Sequence, residues 1–191
     1  HIRFGEGQAI LAGDGLQALA FDMLTQDNNI SADIRVSLVR QLSKAAFEMA
    51  EGQSIDLSIV SKDVEIDLLY SMHRKKTGAL IQCAVMMGAS LNPALTSEDS
   101  AILNSFSQDI GLAYQVQDDV LDVTTADTML GKRQNSDIEK GKPTFPSILG
   151  MDESIKVYQS LYEKASEDVS QLSVNESPLR ELSNKLLSRS F

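Results

Sequence analysis

The sequence predicts an all-α fold. Three observations lead there: apolar residues recur at spacings of three and four along nearly the whole chain, no alternating run bounded by turn residues reads as a strand, and Asn, Asp, Gly and Pro punctuate the periodic stretches. In chain order the pattern predicts helices over 4–24, 33–50, 62–88 with a disturbance near Gly78, 98–123, 144–150, 153–172 and 177–189. Asp27-Asn28-Asn29 separates the first helix from the second, with Ser31 or Asp33 available as an N-cap. Leu91-Asn92-Pro93 closes the third, and Thr96 followed by Asp99 resembles the reciprocal capping arrangement that opens the fourth. No repeat, low-complexity tract or linker interrupts the chain, so residues 1–191 read as a single domain.

Composition narrows the functional classes. With 42% hydrophobic and 23% charged residues the balance is that of an ordinary globular protein, and a net charge of -10 argues against a general nucleic-acid binder, which must neutralise many phosphates with Lys and Arg. Any phosphate ligand must be met by local positive charge. The single cysteine, Cys83, lies in an apolar run and reads as a small core residue; one cysteine forms no intrachain disulfide, which fits a reducing, cytoplasmic compartment. The longest mostly apolar stretch, Gly78 to Leu91, falls short of the roughly 20 residues a bilayer-spanning helix needs, so a soluble protein is expected. The chain opens on His1 with no basic-then-apolar leader and reads as processed or truncated.

The segment that carries most chemistry runs from Gly111 to Asp122. At 100° per residue, Gln115, Asp118, Asp119 and Asp122 fall on one helix face within an arc of about 100°, with Gly111 on the same side. Leu112, Val116, Val120 and Val123 take a neighbouring face, while Tyr114 and Leu121 lie on the far side of the carboxylates, so the acidic stripe is expected among buried surroundings. Three Asp in the last turns of a helix repel one another and oppose the macrodipole, so a positive partner is required. A hard divalent cation such as Mg2+, which takes carboxylate, water and phosphate oxygens, supplies it. The competing reading is a solvated acidic helix end.

Two basic features complement that stripe. His73-Arg74-Lys75-Lys76-Thr77-Gly78 places a lysine and a hydroxyl just before a glycine inside a helical pattern, where a kink frees a carbonyl and turns the hydroxyl inward. Alone, the cluster reads as snorkelling surface lysines, and His73 as a structural histidine. The irregular stretch Thr124 to Pro146 is a basic loop, carrying Lys132, Arg133, Lys140 and Lys142 in an otherwise acidic chain. Near the start, Phe4-Gly5-Glu6 and Leu11-Ala12-Gly13-Asp14 open a helix whose glycines suggest close helix–helix approach, with Asp14 a hydrogen-bonded buried acid; Gly52-Gln53-x-x-Asp56 reads as a polar packing or turn element.

Taken together, Phe4-Gly5-Glu6, Leu11 to Asp14, Gly52-Gln53-x-x-Asp56, Lys76-Thr77-Gly78, Tyr114 to Asp122, Gly131-Lys132 and Gly141-Lys142-Pro143-Thr144 resemble, in order and spacing, the trans-isoprenyl diphosphate synthases, most of all the bacterial farnesyl diphosphate synthases. The resemblance covers essentially the whole chain. It implies a helical bundle of the isoprenoid synthase type around a central cavity, in a homodimer. It further implies an Mg2+-dependent prenyltransferase that joins isopentenyl diphosphate to an allylic diphosphate, dimethylallyl or geranyl, by ionisation, condensation and elimination.

By resemblance, Asp118 and Asp122 hold Mg2+ bridged to the allylic diphosphate, with Asp119 assisting directly or through water. Lys76, Lys132 and Lys142 bind that diphosphate, and Thr77 and Gln115 lie near the allylic cation. The family's first aspartate-rich motif, the arginines after it and the isopentenyl diphosphate site all precede Phe4, so the N-terminal helices are absent here. These 191 residues alone are expected not to catalyse condensation, and product length is unreadable. The alternatives are a geranylgeranyl or longer-chain synthase, a non-catalytic subunit of a heteromeric synthase, a terpene cyclase, which generally lacks the Gly-Lys-Pro-Thr segment, and a plain helical scaffold.

Overall fold

The computed structural model describes residues 1–124 and 141–188, and their regular structure is helical, with no strand among the described residues. The all-α expectation holds. Two compact units, His1–Lys44 and Ala45–Phe191, divide the chain within a continuous helix.

In the first unit α1 (Glu6–Gln26) ends where Asp27 Oδ1 accepts the Asn29 backbone N–H at 2.8 Å. Then α2 (Ala32–Ser58) opens on the expected cap, the Ile34 N–H donating to Ser31 Oγ at 3.3 Å. Two expectations fail here. Nothing among the described residues lies within 4 Å of where a side chain would begin at Gly7, Gly13 or Gly15, so these glycines mark no close approach. Asp14 is exposed rather than a buried acid.

The second unit takes the remainder of α2, then α3 (Ile66–His73), a wide π turn (Arg74–Gly78), α4 (Ala79–Ser90), α5 (Ser97–Thr124), α6 (Phe145–Leu149), α7 (Met151–Val169) and α8 (Ser177–Leu187). The disturbance expected near Gly78 is that π turn, in which one extra residue widens the helix. Its neighbour α2 runs on to Ser58, past the expected end at 50, and carries Gly52 and Asp56 inside the helix.

Helix α5 is the centre of this unit because two of its faces are apolar. Phe106, Ile110 and Ala113 meet Tyr162, Ala165 and Val169 of α7. Leu112 and Val116 join Ile59, Leu69, Met72 and Phe145 in a second cluster. Burying one such large side chain is worth about 1.5–3 kcal/mol, so these two stripes anchor the helix that carries the acidic face. Polar clamps close the ends. Thr96 and Asp99 cap α5 reciprocally, and Asp99 also accepts from the Ser173 N–H and hydroxyl at 2.7 Å each. Gln117 accepts from the Tyr162 hydroxyl and donates to the Leu187 carbonyl, tying α7 and α8 to α5.

The π turn is pressed between α2 and α5 at glycines. A methyl group at Gly52 would sit 2.3 Å from the Lys76 backbone nitrogen, and one at Gly111 2.9 Å from the Gly78 Cα. His73, just before the turn, is only 4% exposed and stacks on Phe145 at 5.5 Å, with Tyr70 edge-on to Phe145 at 5.0 Å. Burial first, then the positive charge of Lys76, hold the His73 pKa down to about 3. The ring is neutral in the folded protein.

Both features make predictions. Gly52→Ala should cost about 1–3 kcal/mol in urea denaturation, because the obstructing atoms are backbone and have no rotamer to yield. Gly88→Ala on α4, where nothing lies within 4 Å, should instead stabilise by up to about 1 kcal/mol. For His73, the unfolded chain takes up a proton below about pH 6.5 that the folded chain refuses until about pH 3, so stability falls as pH falls through that window by about 1.4 kcal/mol per unit. Because the only other histidine is the exposed His1, the loss in urea denaturation between pH 6.5 and pH 5, roughly 1–2 kcal/mol, should vanish in His73→Phe.

Candidate active site

The acidic face of α5 is built as the periodicity requires, and its members have different surroundings. Asp119 and Asp122 are buried and Asp118 is half-buried. Asp119 is engaged by both of its oxygens: Oδ1 accepts from Gln115 Nε2 at 3.1 Å, and Oδ2 accepts from the Phe145 backbone N–H at 3.1 Å. Gln115 Oε1 in turn accepts from the Thr77 hydroxyl at 3.0 Å. Thr77, Gln115 and Asp119 therefore form one hydrogen-bonded chain from the π turn, across α5, to the start of α6. Asp119 also seats Phe145 on α5. Asp118 and Asp122 stand one helical turn apart on the same face.

A second cluster gathers positive charge. Asp56, on α2, is 4% exposed, and its Oδ2 accepts from Lys76 Nζ at 2.7 Å and from Lys142 Nζ at 2.9 Å. Gln53 Nε2 adds a longer contact at 3.4 Å. Burial pushes the Asp56 carboxyl up, but hydrogen bonds from the two lysines and then their charges outweigh it and leave the group below the usual carboxylate range. The local chain explains the geometry. Gly52, one turn before Asp56, lets the Lys76 backbone lie against α2, while the Ser61 N–H donates to the Gly141 carbonyl at 2.7 Å and holds the segment bearing Lys142. Thr144 and Ser147 cap α6 reciprocally and fix the other end of that segment.

His73 joins the two clusters. Its Nε2 is 3.8 Å from Asp119 Oδ2, and Lys76, Asp56 and Lys142 all act on its charge. With the imidazole neutral, that approach is no ion pair. The result is a concentration of carboxylates and ammonium groups around a widened helical turn. Such an array can receive an anion through the lysines and a hard cation through Asp118 and Asp122.

Of the residues singled out from sequence, Lys76 and Lys142 meet at Asp56, and Thr77, Gln115 and Asp119 meet in one hydrogen-bonded chain. Lys132 lies outside the described residues, as do Arg133 and Lys140. Among the described residues, no three His, Cys, Asp or Glu side chains converge as a metal-holding group, so the three aspartates do not form a closed cage. Asp56, read from the sequence as part of a polar packing or turn element, was not assigned its role as the acceptor of both lysines. Its signal was the four-residue spacing from Gly52, which on a continuous helix puts both on one face.

Comparison with known proteins gives the family and the fold. Residues 1–176 match the family described as Polyprenyl synthetase. The chain is 39% identical over 196 residues to the farnesyl diphosphate synthase of Escherichia coli, covering 99% of this chain and 66% of that one. It therefore spans just under two thirds of that relative, and 59% of the farnesyl diphosphate synthase of Haemophilus influenzae. Among solved structures, the geranyltransferase of Helicobacter pylori complexed with magnesium and isoprenyl diphosphate superposes with a TM-score of 0.83 at 28% identity, over 98% of this chain and 61% of that one. The geranylgeranyl pyrophosphate synthetase of Pyrococcus horikoshii does so with a TM-score of 0.86 at 26% identity, over 100% and 69%. The fold is thus the isoprenyl synthase fold, and the chain belongs to the polyprenyl synthetase family.

Proposed function

We propose that this chain forms the allylic-diphosphate and metal side of a prenyltransferase that condenses isopentenyl diphosphate with dimethylallyl or geranyl diphosphate to give farnesyl diphosphate. The observation that carries the reading is the meeting of Lys76 and Lys142 on one buried carboxylate, in a unit whose central helix bears Asp118 and Asp122 on one face. The relationship to the Escherichia coli farnesyl diphosphate synthase supports the substrate class.

The donor set fits Mg2+. Two hard carboxylates one turn apart, with no third protein ligand completing a cage among the described residues, suit an ion that keeps waters and takes phosphate oxygens. When bound, Mg2+ supplies positive charge that stabilises the departing diphosphate. The protein's own part is preorganised electrostatics. Lys76 and Lys142, with Lys132 assigned the same role by resemblance, meet the charge that develops on the diphosphate as the allylic C–O bond breaks. The oxygens of Thr77 and Gln115, held by their mutual hydrogen bond, offer negative dipole ends to the allylic carbon. The new C–C bond forms from the isopentenyl double bond, and the proton then lost passes to the released diphosphate.

The same reading makes the protein a cytoplasmic homodimer. No described helix is long and apolar enough to cross a membrane, and α1 exposes Ile10, Leu11, Leu16, Leu19 and Met23, apolar surface that suits a protein partner.

A melting experiment tests the site without turnover. Pyrophosphate with Mg2+, each far above its dissociation constant, should raise Tm by about 5–10 °C, with either alone giving much less. Asp118→Ala should remove most of the shift, and absence of any shift in the parent chain overturns the assignment.

A further inference from the structure

The role of Asp56 is unexplained by a site whose business is to bind an anion. It is a carboxylate buried on α2, and by charge alone it should repel a diphosphate. Yet its Oδ2 accepts from both Lys76 Nζ and Lys142 Nζ, although those residues lie far apart in the sequence and carry like charges. Left to themselves two ammonium groups separate, and two long side chains sample many rotamers. The lysine side chains remain about a quarter exposed, 26% and 24%, whereas that of Asp56 is 5% exposed, so the carboxylate lies beneath the ammonium groups rather than in front of them.

Each arm of the assembly is anchored separately. The Gly52 contact brings the Lys76 backbone onto α2, and the Ser61–Gly141 hydrogen bond with the Thr144 cap holds the segment of Lys142. Gln53 steadies the same Asp56 oxygen from one turn's distance on α2.

We propose that Asp56 is a positioning residue which gathers the ammonium groups of Lys76 and Lys142 into a preformed receptor for the diphosphate of the substrate. The inference rests on the reading of those lysines as diphosphate-binding groups and adds what makes them effective. Asp56 cancels one of the two charges, so the lysines stay paired before the ligand arrives; the ligand then meets donors already in place and does not have to order them. The role has a sign that distinguishes it from simple electrostatics. Removing a carboxylate beside an anion site should tighten binding if only charge matters, and loosen it if the carboxylate holds the donors.

The test is calorimetric titration of the full chain with pyrophosphate at saturating Mg2+, with a melting curve recorded for every variant. Asp56→Asn should weaken binding about tenfold, although the site becomes more positive, and Asp56→Glu, which keeps the charge but displaces the oxygen, about threefold. In a Lys76→Ala/Lys142→Ala background, adding Asp56→Asn should change affinity no further, a coupling that general loss of stability would not produce. Parent-like or tighter binding by Asp56→Asn overturns the proposal while leaving the lysine assignment intact if the double lysine variant has lost affinity. Undiminished binding by the double lysine variant overturns the lysine assignment itself, and the proposal with it. Should Asp56→Asn not fold, Asp56→Glu decides, and parent-like affinity there overturns the proposal.

Discussion

The backbone contact between α2 and the π turn is the constraint on which the rest depends. Close approach at Gly52 puts the Lys76 nitrogen where a side chain would otherwise be, and close approach at Gly111 does the same for Gly78 on the opposite side. A turn held this tightly by backbone on two flanks has little freedom to relax. That is why a widened π segment, weaker in its hydrogen bonding than α-helix, persists in the middle of a helical unit. The widening places Lys76 and Thr77 on different tasks within two residues. Lys76 reaches back to Asp56 on α2, while Thr77 reaches forward to Gln115 on α5.

From that turn the two halves of the site follow. On one side a carboxylate collects ammonium groups; on the other an amide and a carboxylate collect a hydroxyl and a backbone N–H. His73 lies where they meet, and it is neutral because burial strips a protonated imidazole of water and the nearby charge of Lys76 adds repulsion. Phe145 is the mechanical link. Its N–H is bonded to Asp119, its ring fills the apolar cluster under α5, and it stands three residues after Lys142. The placement of Lys142 and the placement of the acidic helix are thus tied through one residue.

Much of this was legible in the sequence, and the failures have physical causes. Apolar periodicity gave the helices, and a period of 3.6 put Gln115, Asp118, Asp119 and Asp122 on one face, because those inferences need only local geometry. The end of α2 was misjudged because Gly52 costs a helix about 1 kcal/mol locally, whereas the packing that outweighs this cost comes from Lys76, a contact that local propensity does not encode. The same reasoning misread α1, whose glycines meet no neighbour among the described residues. Asp56 was read only as a polar packing element because its partner Lys142 lies 86 residues away, and the hydrogen bonding within the acidic stripe depends on where Phe145 returns.

The charge of the chain explains why such preassembly is needed. At -10 these 191 residues would repel a polyanion, so no general field would draw in a diphosphate bound as we propose. That repulsion is screened within a Debye length of about 8–10 Å at physiological salt, which leaves recognition to charges close to the ligand. A few lysines must then outweigh many acids, and they do so only by being near one another and partly out of water, where each Coulombic contact counts for more. Crowding cations in this way carries its own repulsion, and a carboxylate beneath them relieves it without covering the face they present. If an acidic chain is to bind a diphosphate, as we propose, it has reason to bury one more acid at the centre of its basic site.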